Sequence, residues 1–186
     1  MRAHALFLIP ALAAASVSPR RILVATWAPD GGAGKTRLVH GRTDARDVAE
    51  VFSRLGGVTE TDALVREVSD TADLAKVWSE AAVLLDSARS QGSPAELILF
   101  HTGHADSRGL LTGNQRLPWE RVGQFLNADG GSLRVAFLDA CASGNALRSK
   151  GGRFHPAQSL PAISGRAVLA SSRSDELSTE SDRDGG

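Results

Sequence analysis

Phe137-Leu138-Asp139-Ala140-Cys141-Ala142-Ser143-Gly144 is an apolar run that ends on the only cysteine of the chain. Upstream, Leu97-Ile98-Leu99-Phe100-His101-Thr102-Gly103-His104 repeats the pattern with a histidine at its end. Each reads as a buried strand that stops at a reactive side chain followed by small residues. In an open α/β sheet, ligands and chemistry collect at the carboxyl ends of the strands. Two neighbouring strands of this kind deliver a thiol and an imidazole to one edge, the pairing on which nucleophilic catalysis by cysteine depends.

The rest of the chain supplies the alternation that such a sheet needs. Arg21 to Trp27 is an apolar, β-rich run, followed by a Gly-rich polar loop to Gly41. Thr43 is placed to cap a helix with Val48, Val51, Phe52 and Leu55 on its inward face, ended by Gly56-Gly57. Ala63 to Val68 reads as a second strand. Ser69 or Thr71 then opens a long helix with Leu74, Val77, Trp78, Ala81, Leu84, Leu85 and Ala88 inward, stopped at Gly92-Ser93-Pro94. After the histidine strand (Glu96 to His101) come a loop with a short Gly109-Leu110-Leu111 segment and a helix from Pro118 to Leu126. Leu133 to Asp139 is the cysteine strand, and Gly165 to Ser171 one more. The expected fold class is α/β, a mostly parallel central sheet with helices on both faces.

Composition narrows the functions. Lys+Arg and Asp+Glu each total 21, so no overall field favours nucleic acid or an anionic membrane. One cysteine excludes an internal disulfide framework and a thiolate metal cluster. Met1-Arg2-Ala3-His4 followed by the apolar stretch Ala5 to Ala15 has the layout of a secretory signal peptide over residues 1–18, too short to span a bilayer. The alternatives are a first strand or helix of the fold, or a start codon placed too early. With the signal removed, residues 19–186 form the domain, exported to the periplasm or beyond, with no membrane attachment; otherwise the chain is cytoplasmic.

Gly34-Lys35-Thr36 after a strand resembles the end of a phosphate-binding P-loop. That motif requires glycine where Pro29 stands, and a helix beginning at Lys35-Thr36, where the polar residues and Gly41 interrupt the pattern. Nucleotide binding is not expected.

At its two reactive strands the chain resembles the caspase-like cysteine peptidases, in particular the metacaspase and bacterial caspase-like branch. Thr102-Gly103-His104-Ala105 is similar to the family's Ser-Gly-His-Gly, and Asp139-Ala140-Cys141-Ala142-Ser143-Gly144 matches Asp-x-Cys-x-Ser-Gly in full. Weaker echoes are Gly41-Arg42-Thr43-Asp44 and Ala170-Ser171-Ser172, with Glu176, Ser178 and Glu180 beyond.

The resemblance implies a three-layer caspase-like fold and an endopeptidase in which His104 and Cys141 form the catalytic dyad. It implies an oxyanion hole from the backbone N–H groups of Ala105 and Cys141, with Ala105 where the family usually has glycine. Asp139, with Asp44 and Thr102, would line an acidic pocket for Arg or Lys. An ionised carboxylate there attracts a basic side chain and repels Asp. Arg148, Lys150 and Arg153 lie in a loop that many family members cut to mature themselves. No cofactor is expected; some metacaspases need calcium, but Asp106, Asp129 and the acids after Asp175 are too scattered to assign a metal site. The expected partner is a peptide or protein substrate.

Family members usually continue past the point where this chain stops, with another strand and helix, so the C-terminal part of the usual domain is expected to be missing. The competing expectation is a catalytically weak module that binds a partner protein through its open sheet edge.

Overall fold

A computed structural model describes residues 18–128, 133–141 and 165–173. The expected N-terminal signal and the loop carrying Arg148, Lys150 and Arg153 lie outside the described residues. The strands are β1 (Arg20–Ala28), β2 (Ala63–Glu67), β3 (Ala95–Asp106), β4 (Gly109–Thr112), β5 (Gln115–Pro118), β6 (Leu133–Ala140) and β7 (Arg166–Ala170). The helices are α1 (Gly41–Arg54), α2 (Thr71–Ser90) and α3 (Trp119–Asn127).

Among the described residues the parallel strands run in the order β2-β1-β3-β6-β7. Both faces are covered, which is why these strands read as continuous apolar runs. The pleat divides each run between two cores. Leu23, Ala25 and Trp27 of β1, Ile98 and Phe100 of β3 and Phe137 of β6 pack on one face with Ala45, Val48, Ala49 and Phe52 of α1. Ile22, Val24, Leu97, Leu99, Ala136 and Leu138 pack on the other with α2 and α3. Successive connections thus go to opposite faces on either side of the β1/β3 pair, the switch point at which a crevice opens in such sheets.

Three elements differ from the sequence expectation. Helix α1 begins at Gly41 rather than near Thr43, and its N-cap position is His40. A Cβ at Gly41 would lie 3.2 Å from the Trp27 Cβ and 3.3 Å from the Thr102 Cγ2, so the missing side chain lets the first turn sit close to the sheet. Val48 and Phe52 face the core as expected, together with Ala45, whereas Val51 and Leu55 are exposed. Helix α2 is capped by Asp70, whose carboxylate accepts from the amides of Ala72 and Asp73 at 2.8 Å each. Strand β3 does not stop at His101. Beyond Gly103, where both parallel neighbours end their register, it pairs antiparallel with β4, His104 opposite Leu111 and Ala105 opposite Leu110. The loop expected there is a three-stranded antiparallel extension closed by β5.

His101 points to the α2 face and is 1% exposed. The Thr26 Oγ1 lies 3.3 Å from the Phe100 carbonyl and 2.9 Å from the His101 Nδ1. A hydroxyl has one proton; donated to the carbonyl, it leaves a lone pair for the Nδ1–H. The Nε2 has no partner among the described residues. Burial lowers the His101 pKa from 6.5 to about 4.

The folded protein therefore keeps His101 neutral while the unfolded chain takes up a proton as pH falls below 6.5. Stability from this group is whole above that pH and is lost as pH drops toward 4. In urea titrations His101→Phe should lose less stability than the parent protein across that window, and equal losses would refute the buried neutral imidazole.

Candidate active site

The site lies at the carboxyl ends of β3 and β6. Thr102 is paired in register with Asp139 and Gly103 with Ala140; His104 is the next residue of β3, and Cys141 is the first residue after β6. Parallel neighbours lie about 4.8 Å apart, and side chains alternate between faces. Thr102 and His104 share the parity of Ile98 and Phe100, and Asp139 that of Phe137, which puts these three on the α1 face, with Cys141 directly after the end of β6.

His104 is held from above by the β1–α1 loop. Its Nε2 lies 2.6 Å from the Thr36 carbonyl oxygen. A carbonyl only accepts, so the Nε2 carries the proton and the Nδ1 of the neutral ring has the lone pair. Gly31 leaves room for the imidazole: a Cβ there would fall 2.5 Å from Cδ2 and 2.6 Å from Cβ and Cγ of His104. The Gly-rich loop thus serves a histidine rather than a phosphate, and the helix after it begins at Gly41, not at Lys35.

Cys141 is half-buried and directly follows β6. The residue before it is fixed at both backbone groups. The amide of Ala140 donates to the Ser171 Oγ at 3.2 Å, and the Ser172 Oγ donates to the Ala140 carbonyl at 2.8 Å. Ser171 and Ser172 follow β7, so the chain leaving one strand clamps the end of the next. The sequence marked this pair only as an echo and assigned it no role.

The Thr102 hydroxyl donates to the Asp139 Oδ2 at 3.4 Å, and both residues lie at the registered edge. Asp44 is in the first turn of α1, three residues after the Gly41 that packs against the Thr102 methyl, on the same flank of the helix. Ala105 lies within β3 and is 2% exposed, in extended backbone that any L-residue adopts, so alanine in place of glycine brings no strain.

Asp106 is committed elsewhere. Burial alone would raise its pKa, but the ion pair with Arg116 and the amides of Arg108 and Gly109 outweigh burial and hold the carboxyl below its ordinary value. Its carboxylate closes the β3–β4 turn. Among the described residues no three or more His, Cys, Asp or Glu are arranged to hold a metal; Asp129 and the acids after Asp175 lie outside them.

No family model matches the sequence, and no curated protein does. Among solved structures, the crystal structure of caspase-1 from Spodoptera frugiperda superposes with a TM-score of 0.62. The fold is caspase-like. Sequence identity over that match is 14%, covering 89% of this chain and 64% of the caspase chain. The caspase-like fold accounts for the parallel sheet, the helices on both faces and the crevice at the strand ends. What happens chemically in that crevice rests on this chain's own residues.

Gly31→Ala tests the seat of His104. The added methyl overlaps the ring and must displace it. Alkylation of Cys141 by a peptide electrophile should fall toward the rate of His104→Ala, with the circular dichroism spectrum unchanged. An unaltered rate would refute the packing of Gly31 on the imidazole.

Proposed function

We propose that this protein is a cysteine endopeptidase that cleaves after Arg or Lys. The observation that supports the reading is that His104 and Cys141 each come one residue after the last registered pair of β3 and β6, with the Nε2 proton of the imidazole committed to the Thr36 carbonyl. The Nδ1 is left as the atom that takes up the thiol proton. The thiolate then attacks the substrate carbonyl, and the oxyanion is stabilised by the backbone N–H groups of Ala105 and Cys141. Protonated His104 gives its proton to the departing amine as the C–N bond breaks. Water, deprotonated by the same Nδ1, hydrolyses the thioester and returns the thiol.

For the preceding substrate residue the reading relies on charge. Asp139 is the acid of the pocket, oriented by the Thr102 hydroxyl, with Asp44 contributing a second negative charge from α1. A guanidinium or ammonium gains a charge-assisted bond there, and a carboxylate meets repulsion. Arg148, Lys150 and Arg153 are cleavage sites of the same specificity, so processing in cis or trans follows from the same pocket. No metal or cofactor takes part in these steps. The N-terminal segment directs the product outside the cytoplasm.

Two peptide electrophiles that differ only in a terminal Arg or Asp decide the matter, with adducts located by mass spectrometry. The Arg probe should label Cys141 rapidly, and His104→Ala should abolish the acceleration. Asp139→Asn should lower Arg-probe labelling about 10- to 100-fold, the equivalent of losing a charged hydrogen bond of roughly 1.5–3 kcal/mol. Equal labelling by both probes would refute the acidic pocket. No labelling of Cys141 by either would refute the peptidase and leave a partner-binding module.

A further inference from the structure

The loop between β1 and α1 does more than supply one carbonyl. Its two ends are joined where the Leu38 amide donates to the Pro29 carbonyl at 2.9 Å. An internal turn closes where the Lys35 amide donates to the Gly32 carbonyl at 3.1 Å. The Asp30 carbonyl accepts from the Gly113 amide at 2.8 Å, which docks the loop on the β4–β5 turn. Gly32 and Gly113 both have positive φ, and a Cβ on Gly32 would lie 2.8 Å from the Gly113 carbonyl oxygen. Backbone contacts therefore hold residues 29–32, the part of the loop whose Gly31 packs on the ring of His104, and they anchor Lys35 and Leu38 of the return limb on either side of Thr36. Between those two anchors Arg37 adds a side-chain tie: its Nη1 donates to the Asp30 Oδ2 at 2.5 Å. Arg37 directly follows the residue whose carbonyl holds the Nε2 proton.

We propose that Asp30 and Arg37 are positioning residues for His104, the ion pair clasping the return limb of the loop so that the Thr36 carbonyl keeps the imidazole in its Nε2–H tautomer. This rests on the reading of His104 as the acid–base partner of Cys141. Its direct readout is the protonation pattern of the ring and not turnover. An exposed ion pair contributes little to global stability, so the clasp acts on the geometry of one loop and leaves the fold intact. With the clasp open, the Thr36 carbonyl swings from the Nε2. The ring then populates the Nδ1–H tautomer, in which the Nδ1 has no lone pair to accept a proton from the thiol.

The experiment is nitrogen-15 NMR of the histidine side chains in the full chain. His104 is assigned by the loss of its signals in His104→Ala. The parent protein should show an Nε2–H ring, and Arg37→Ala a mixture of both tautomers. The charge-swapped double variant, Asp30→Arg with Arg37→Asp, should restore the single Nε2–H form. Cys141 labelling should follow, falling about tenfold in Arg37→Ala, a part of the 10²–10⁴-fold that a positioned acid–base group supplies, and recovering in the swap. Its pH profile should shift in Arg37→Ala alone.

A ring that stays wholly Nε2–H in Arg37→Ala would overturn the proposal. So would a mixture that the charge swap fails to restore, because the ion pair would not then be the cause. If the parent protein shows no His104-dependent labelling, the peptidase reading falls, while the tautomer populations still decide the role of the clasp.

Discussion

Up to Gly103 the backbone of β3 is hydrogen-bonded on both flanks by parallel strands, and from His104 onward it takes its bonds from β4 instead. Everything at the site depends on that exchange of partners. If β3 ended with its neighbours, His104 would sit on an untethered loop, as the sequence suggests, and its imidazole would lose its fixed direction. Because the strand continues, its pleat carries over, and His104 keeps the face set by Ile98 and Phe100. Asp106 anchors the far end through Arg116 and the β3–β4 turn, while the Trp119 indole N–H donates to the Asp106 carbonyl at 3.0 Å. The hairpin is thus bound at both ends and stiffens the histidine from beneath, as the β1–α1 loop does from above.

The parts of this arrangement carried by side-chain periodicity were legible in the amino-acid sequence. Strands β1, β2, β6 and β7 each appear as an apolar run near its observed limits, β3 appears only in its parallel part, and the inward residues of α2 follow a helical spacing. The positions of His104 and Cys141 at the ends of neighbouring parallel strands were legible as well, because each ends such a run. What the sequence conceals is carried by the backbone. The Thr36 carbonyl has no residue signature, since any amino acid there would present the same oxygen. The Gly-rich stretch before it looks like a phosphate loop because both uses need close backbone approach. The inward face of α1 was legible only in Val48 and Phe52, for a related reason: Gly41 and Ala45 face the sheet through their lack of bulk, which a search for large apolar residues passes over.

The two halves of the site are supported in different ways. Cys141 stands at the end of a strand whose last peptide is clamped by the hydroxyls of Ser171 and Ser172, contributed by the next strand in the sheet. His104 is steadied by a ring of backbone contacts from the loop of the preceding one. The crevice is therefore assembled from three consecutive strand ends, β1, β3 and β6, plus the exit of β7. No single element determines the placement of His104 and Cys141, and the alignment of strands along their length becomes the governing variable.

That alignment is not secured by hydrophobicity. Leu97, Ile98, Leu99 and Phe100 are all buried, as are Ile22, Leu23, Val24 and Ala25. A one-residue slip between strands that are apolar on both faces would exchange one buried methyl group for another at little cost in burial. It would, however, turn every side chain to the opposite face. His101 and His104, three residues apart on β3, belong to opposite faces, so a slip would bring the wrong imidazole to the α1 face and send His104 under α2. Polar groups raise the cost of that error. Thr26 stands opposite His101 in the β1–β3 register, and their buried bond exists only there. Shifted by one residue, the Thr26 hydroxyl and His101 Nδ1 would each be buried without that partner, at roughly 1–3 kcal/mol for each group left unsatisfied. Thr102 and Asp139 play the corresponding part between β3 and β6. The buried His101 thus helps hold His104 on the α1 face.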